Sequence, residues 1–559
     1  MRRWSLLLVF LAPAFDPCTP VKAAEIYHDD GIDARWDNTL RYSLALRLSP
    51  RNAALVSDVN SDDGDRNFSP GVISNRVDVF SEFDASRDDF GVRVSAALWL
   101  DTIYREPNDN NSAATLNLAT QRHDEFAADV RSLHGGTARL FDAFFHGAFD
   151  AGGVPISFRV GRHVVLWGES LFFAENGIAA GQAPIDVIKA LSSPEAEAKE
   201  VLLPVWQASS TIEIRPNVAL NLYYQFEERK DQLPGIGSYF SNVDFIGAGA
   251  EEYFSPAGSV LTRTRDLRPK GLGQFGVGLT VNTGALSYGL YALVFNAKEP
   301  QVYLRPGAGT YQLVYPASIE VYGASFSGGF RETTIAGEIS GRRNMPLVST
   351  ILIAPPWLPI TNSDYPLYAI GDTLQGQVST ITTFGRSSLW QRAEFREELA
   401  FNERLAVTRN PDALETGRIA GSAGYPPSFE SANALATPVE SVLAAAAYPV
   451  GFGHGTGGAG ESGRTKFAAE YEASFEPQYF EVLPALDLSE PITISYAFAG
   501  ASSVDEGENS GTGTFELGLS AVYRSLWRSH LGFITFVGPY SRQGLADRDF
   551  VSFSIERTF

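Results

Sequence analysis

Apolar and polar residues alternate with a period of two in one segment of this chain after another. From Phe90 to Asp101, one face carries Phe90, Val92, Val94, Ala96, Leu98 and Leu100, and the other carries Arg93, Ser95, Trp99 and Asp101. Between Val218 and Glu227, Val218, Leu220, Leu222, Tyr224 and Phe226 oppose Asn221, Tyr223, Gln225 and Glu227. Phe467, Ala469, Tyr471, Ala473 and Phe475 oppose Glu470, Glu472 and Ser474, and Phe515, Leu517, Leu519, Ala521 and Tyr523 oppose Glu516 and Ser520. Successive side chains of a strand point to opposite faces, so each run predicts a strand with one apolar and one polar side. A soluble sandwich also alternates. Charge on the polar face and aromatics near strand ends, repeated over hundreds of residues, predict instead a wall between lipid and a wet lumen.

The connections sharpen this expectation. Short turns at Asp84–Asp89, Asp150–Gly153, Arg215–Asn217, Thr283–Ala285 and Gly328–Phe330 alternate with long polar or Gly/Pro-rich stretches. The long ones are Ser49–Pro70, Arg105–Thr137, His163–Leu202, Arg229–Gly271, Arg342–Gln377 and Asn402–Gly463. Short periplasmic turns and long external loops are the asymmetry of outer-membrane barrels. The expected fold is therefore all-β: one large antiparallel transmembrane β-barrel of about 18 strands, with about 16 as the alternative.

Both ends fit that architecture. Arg2 and Arg3 precede an apolar run from Leu6 to Phe15, and Val21 and Ala23 supply small residues for cleavage after Ala23. This order predicts a signal peptide over 1–23 and a single barrel domain over 24–559 in the outer membrane of a Gram-negative bacterium. The only cysteine, Cys18, lies before the cut, which excludes a disulfide framework, a thiolate metal site and a cysteine nucleophile. At the other end, Val551, Phe553, Ile555 and Phe559 share a face, opposed by Ser552, Ser554, Glu556 and Thr558. A strand ending in an aromatic residue reads as a signal for the barrel-assembly machinery, and Phe559 is its candidate. Arg557 departs from the apolar face and is expected to snorkel toward periplasmic headgroups.

Composition then removes whole classes of function. Aromatic residues make up 12% of the chain, and the formal net charge of −21 excludes nucleic acid as a partner. No stretch after residue 23 approaches the length of apolar sequence a membrane helix needs, so a membrane-spanning chain of this kind must close a sheet. The expected partners are outer-membrane lipid and lipopolysaccharide, the assembly machinery and a small organic substrate. No cofactor is implied.

Candidate chemistry concentrates in the connection His163–Leu202. Val164, Val165, Leu166, Trp167, Phe172, Phe173 and Ile178 make it too apolar for an exposed loop. One reading folds it into the lumen to narrow a pore, with Arg162, His163, Trp167, Gly168, Glu169, Ser170, Phe172 and Phe173 as the residues concerned. The other has it cap the wall for stability only. Glu169 and Ser170 are expected to act as hydrogen-bonding fixtures. Expected lumen charges are Asp78, Glu82, Asp84, Arg93, Glu213, Glu227, Glu338, Arg392, Arg396, Glu470, Glu472 and Glu516. Their acidic excess disfavours small anions and mildly favours cations in a narrow pore.

Catalytic and metal motifs are wanting. The histidines are His28, His123, His134, His146, His163, His454 and His530, and their spacing shows no Ser/His or metal-binding constellation. Ser170 lacks the G-x-S-x-G context of a nucleophile elbow. Asp58, Asn60, Asp62, Asp63 and Asp65 hint at a calcium loop, but Gly64 comes one position late and Ser69 stands where the bidentate glutamate belongs. The expectation there is a solvated acidic loop.

Several runs carry a family resemblance. Arg159–Ser170 (RVGRHVVLWGES), Pro184–Val187, Glu200–Pro204, Gly237–Phe245 (GSYFSNVDF) and Asp547–Phe550 leading to Phe559 resemble the proteobacterial DUF1302 family over essentially the whole mature chain. The most specific run departs at His163, where glutamine is expected, and at Leu166, where asparagine is. The resemblance implies an outer-membrane barrel and a link to growth on hydrophobic compounds such as sterols or long-chain lipids. The leading expectation is thus a porin-like channel for passive uptake of a hydrophobic or amphiphilic compound. A structural or export-complex barrel is the alternative, and an outer-membrane enzyme a weaker one.

Overall fold

The computed structural model describes residues 24–559 except 30, 194–195, 197, 256–257, 350–351, 355–365, 415–463 and 506. The expected signal peptide, Cys18, His454 and most of the Asn402–Gly463 connection lie outside the described residues.

Eighteen antiparallel strands close on themselves. They are β1 (Ile32–Arg47), β2 (Gly71–Arg87), β3 (Phe90–Asp101), β4 (Gly136–Asp150), β5 (Pro155–His163) and β6 (Val205–Arg215). Next come β7 (Val218–Gln225), β8 (Gln274–Asn282), β9 (Leu286–Phe295), β10 (Ile319–Phe330), β11 (Thr333–Pro346) and β12 (Ile370–Phe384). The last six are β13 (Arg392–Arg409), β14 (Phe467–Leu483), β15 (Leu486–Ser489 and Ile492–Ala499), β16 (Gly513–Tyr523), β17 (Trp527–Val537) and β18 (Phe550–Thr558). Pro491 interrupts β15 because it has no N–H to donate, but its carbonyl still accepts from Gly518 N–H at 2.8 Å.

Closure runs through β18 and β1, in register from Thr39↔Thr558 to Arg47↔Phe550. Asn38 and Phe559 add the last rung, exchanging two backbone hydrogen bonds of 2.9 Å each. The strand Ala24–Asp29 then pairs with the start of β1, from Ala24↔Trp36 to Asp29↔Ile32, and so continues the line of β18. Closure leaves the spanning backbone without an unpaired edge, which is the condition for crossing hydrocarbon. Leu98, Leu290, Tyr322, Ile339, Leu399 and Leu531 stand exposed around the outside, the apolar dress of an outer-membrane barrel.

The tight turns, the start of β1 and the end of β18 share one rim, which assigns that rim to the periplasm. Several turns place an ordinary residue at positive φ: Asp88 at 51°, Arg331 at 56° and Ala485 at 61°, as two-residue hairpins require. Two expected turns move outward. β2 runs on to Arg87 and β10 to Phe330, so Asp84 and Gly328 are strand residues. Likewise β11 reaches Pro346 and β12 begins at Ile370, which shortens the expected Arg342–Gln377 connection. Backbone pairing outlasts the apolar alternation because pairing needs only a neighbour, whereas alternation needs lipid.

The long connections build a cap on the external rim. A five-stranded sheet is assembled from Glu252–Phe254, Val260–Arg263, Gln301–Arg305, Thr310–Val314 and Leu352–Ile353, drawn from three different connections. Tyr253, Leu261, Tyr311 and Leu313 are buried beneath it with Phe245.

Candidate functional site

The connection between β5 and β6 touches both sides of the inner wall. Its first half is bound to β7 through β13. The Trp167 ring lies 5.0 Å from Tyr223 of β7 and 5.7 Å from Tyr291 of β9. Gly276 of β8 leaves the space, since a Cβ there would fall 2.8 Å from the indole. Ile178 is fully buried with Leu293, Phe295, Ile319 and Val321, and Val165 packs at the margin of that cluster. Val165, Trp167 and Ile178 thus find cover on the wall, while Leu166 stays exposed.

The polar contacts are to the loop backbone. The Glu338 carboxylate of β11 accepts N–H bonds from Glu169 at 2.6 Å and Ile178 at 2.8 Å, and the Gln377 amide at 3.2 Å. Gly168 and Gly177 allow this wrapping, because a Cβ on either would collide with the same carboxylate, and Gly168 also has φ +95°. Glu398 of β13, wholly buried, accepts from the N–H groups of Leu171 (3.0 Å), Phe172 (2.6 Å) and Phe173 (2.9 Å). Arg342 of β11 supplies the converse, donating to the carbonyls of Glu175 (3.0 Å), Asn176 (2.9 Å) and Gly177 (3.0 Å). Acids take the loop's donors and a guanidinium takes its acceptors. Charge-assisted bonds of this kind are about twice as strong as neutral ones.

The second half reaches the opposite wall. Asp186 caps the short helix Val187–Ser192, accepting from Lys189 N–H at 3.1 Å, and pairs with Arg139 of β4 at 2.6 Å. Lys199 pairs with Glu82 of β2 at 2.8 Å. Glu200 lies 2.9 Å from Arg41 of β1, which also meets Glu556 of β18 at 2.6 Å. The loop therefore spans the lumen from β18 and β1 to β13.

The expected residues fall into several groups. His163 and Arg162 belong to β5 rather than to the loop. Arg162 pairs in register with Trp206, whose side chain is exposed on the outside, so register sets Arg162 on the outer face, away from the lumen. Phe172 and Phe173 take part through their backbone N–H groups. Glu169 also accepts from Ser327 Oγ at 3.0 Å, but the buried Ser170 hydroxyl has no partner, so it is no fixture. Among the charges, Asp78 pairs with Arg76 at 2.7 Å, and Arg93 bridges Glu82 (2.5 Å) and Asp84 (3.6 Å). Arg392 and Arg396 meet Glu394, and Glu516 lies 3.9 Å from His530. Glu472 sits in register opposite Glu398, and Glu470 opposite Ala400. Glu213 is exposed next to the turn after β6, and Glu227 lies past the end of β7, accepting from Trp206 N–H at 3.0 Å. Glu398 and Arg342, the strongest anchors, were not among the expected residues. Their only signal is membership of the polar face of a strand.

Two Ser–His pairs appear that spacing did not reveal. His163 Nε2 lies 2.8 Å from Ser209 Oγ, and His530 Nδ1 lies 2.9 Å from Ser520 Oγ. Both histidines are buried, and Ser520 and His530 are direct register partners of β16 and β17. The His530 ring lies over Gly518 and Gly532, close enough that a Cβ on either would have to displace it. These are cross-strand contacts between neighbouring staves of the wall, and Glu516, at 3.9 Å, stands beyond hydrogen-bond distance of His530.

The acidic loop after β1 is also not solvated. Asp62, Asp63 and Asp65 are buried. Asp65 pairs with Arg47 at 2.6 Å and Arg548 at 3.5 Å. Asp63 accepts from Asn110 (3.1 Å) and Asn117 N–H (3.2 Å), while its own N–H donates to Asp244 at 3.1 Å. Burial and the neighbouring Asp62 push the Asp63 carboxyl up to about 7, and burial with Asp63 and Asp62 holds Asp244 well above the usual range. The expectation failed because the loop packs against distant segments: Asp65 is paired by Arg548 as well as by Arg47 at the end of β1, and Asp63 meets Asn110, Asn117 and Asp244. No three acidic or histidine side chains among the described residues are grouped to hold a metal ion.

Two spaces border the loop. On the external side, a cavity of about 170 Å³ is walled by Leu166, Ile185, Phe245, Phe295, Leu347 and Val348. Toward the periplasm, a polar vestibule of about 500 Å³ is lined by Arg41, Glu82, Arg93, Lys199, Glu556 and Phe559.

Among solved structures, the chain is similar to OccAB1 from Acinetobacter baumannii, at 9% identity over 96% of this chain and 99% of that one, with a TM-score of 0.42. A BenF-like porin from Pseudomonas fluorescens Pf-5 matches at 8% identity over 94% of this chain and 98% of that one, TM-score 0.40. OpdK from Pseudomonas aeruginosa, crystallised with vanillate, matches at 10% identity over 94% and 98%, TM-score 0.39. No curated protein matches. The model of the family described as protein of unknown function (DUF1302) matches residues 3–559, and the chain belongs to that family.

Proposed function

We propose that the protein is a passive outer-membrane channel for a hydrophobic or amphiphilic organic compound, sterol-like or lipid-like in character. The observation that carries this reading is the loop clamped across the lumen, with a cavity of mixed apolar and charged lining on its external side and a polar vestibule on its periplasmic side. A solute with an apolar body gains about 25 cal/mol for each Å² it buries in such a cavity. The charged wall beyond offers no comparable burial, so the solute is released toward the periplasm. Interior ion pairs of both signs, such as Arg93 with Glu82 and Lys199 with Glu82, keep that exit wet.

The test pairs planar-bilayer conductance of the refolded protein with uptake of sterols and fatty acids in a deletion strain. Discrete conductance and impaired uptake are expected. Absence of both would end the channel reading and favour a structural barrel.

A further inference from the structure

We propose that the external cavity selects cationic amphiphiles, seating an ammonium head against the Glu175 carboxyl and the apolar body along Leu166, Ile185 and Phe295. The inference rests on the channel reading above and adds a charge preference to it.

The charged side chains lining the cavity are Glu175, Asp231, Glu299 and Asp505 against Lys298 and Arg342, so acids outnumber bases among the described residues. Both bases are already engaged. Arg342 is bound to three loop carbonyls. Lys298 donates to the carbonyl of Ala180 and stands 4.8 Å from the centre of the Phe295 ring. An anionic head would bring a fifth acid into a cavity that already holds four against two bases. Glu175 is differently placed. Its backbone is held by Arg342, but its side chain is open to the cavity. The surrounding protein, together with Glu299, holds the Glu175 carboxyl well above the ordinary carboxylate range. A bound ammonium restores the ionised form by pairing with it, and the proton leaves to solvent. A hydroxyl head gives no such return. The volume of about 170 Å³ holds on the order of ten waters, enough for a short alkyl chain once they are displaced.

The test uses n-octylamine, n-octanoate and n-octanol as blockers of single-channel current through the refolded full barrel. Octylamine is expected to block at roughly tenfold lower concentration than either competitor, and Glu175→Gln to raise its blocking concentration roughly tenfold with octanol unchanged. The Glu175 side chain takes no part in the loop clamp, so conductance itself should persist in the variant. Octanoate or octanol blocking as well as octylamine, or an unchanged octylamine block in Glu175→Gln, would overturn the charge preference alone. A barrel that conducts nothing would overturn the channel reading and this inference together.

Discussion

Replacing Glu398 by alanine removes the acceptor of three consecutive backbone N–H groups in the lumen loop. Hydrogen bonds to a charged partner contribute about 1.5–3 kcal/mol each, so a simple sum gives roughly 5–9 kcal/mol. Two effects lower that figure. Glu472 lies directly opposite Glu398 in register, so the substitution also relieves repulsion between two carboxyls. Glu338 and Arg342 still hold the loop on either side, and lumen water can reach the freed amides. An expected loss of ~3–5 kcal/mol in local docking follows, which is roughly a 10²- to 10⁴-fold loss of protection for those amides. Hydrogen exchange of the detergent-refolded barrel reads this directly at residues 171–173. Glu398→Gln should fall between, because one carbonyl oxygen remains while an NH₂ group now faces donors. Unchanged exchange at 171–173 in the alanine variant would refute the clamp. An equal loss in the external cap around Tyr239 would show general destabilisation instead.

Gly168→Ala should loosen the same loop by about 1–3 kcal/mol, since φ +95° is unfavourable for alanine and its Cβ meets the Glu338 carboxylate; a red shift in Trp167 fluorescence would report it. Deleting Phe559 removes the two bonds to Asn38 and the terminal aromatic ring, and outer-membrane assembly should fall several-fold while Phe559→Tyr retains it; unchanged yield would count against the assembly signal. The cap should loosen as pH rises. Asp63 is held at about 7, above its ordinary 3.8, so the folded cap binds the extra proton. Its stability is full below about 3.8 and declines by up to about 1.4 kcal/mol per pH unit as pH climbs through 7. Limited proteolysis within residues 48–70 should therefore be faster at pH 8 than at pH 5, and Asp63→Asn should flatten the difference.

The strands were legible because lipid imposes the pattern. Phe90 to Asp101 alternates cleanly and is one strand to the residue. Strand ends were less legible, since β2 and β10 continue past the bilayer, where nothing selects for alternation. The anomaly of the β5–β6 loop was legible as apolar residues without cover, and Trp167 indeed meets Tyr223 and Tyr291. What could not be read was which wall charges hold it. Glu398 shares the inward face of β13 with Arg392 and Arg396 and reads no differently from them. Only the loop's backbone, arriving from more than two hundred positions away, distinguishes it. The Ser520–His530 contact was hidden for the same reason, because it exists only once β16 and β17 are in register.

The runs that carry the family resemblance divide into two structural tasks. Trp167–Ser170 belongs to the clamp in the lumen, through Trp167 and the wrapping of Gly168 and Glu169 about Glu338. Gly237–Phe245 and Asp547–Phe550 meet each other on the external side. Arg548 donates to the carbonyls of Tyr239 and, at 3.1 Å, Ser241, while Phe550 packs 5.5 Å from Phe240. Asp549 takes the hydroxyls of Ser49 at 2.9 Å and Thr535 at 2.8 Å, tying the last connection to the first. The centre of this latch is Asp65 between Arg47 and Arg548, all three buried. Buried ions are costly to desolvate, and hydrophobic replacement often matches their stability, so their value here lies in dictating which connections meet. That choice has a consequence for the cargo. Phe245, at the end of the latched run, belongs both to the core of the external sheet and to the wall of the cavity. The latch therefore fixes the roof of the cavity without touching a solute, and the clamp fixes its floor. Recognition is left to the side chains between them, of which the Glu175 carboxyl is open to the cavity while Arg342 holds only its backbone.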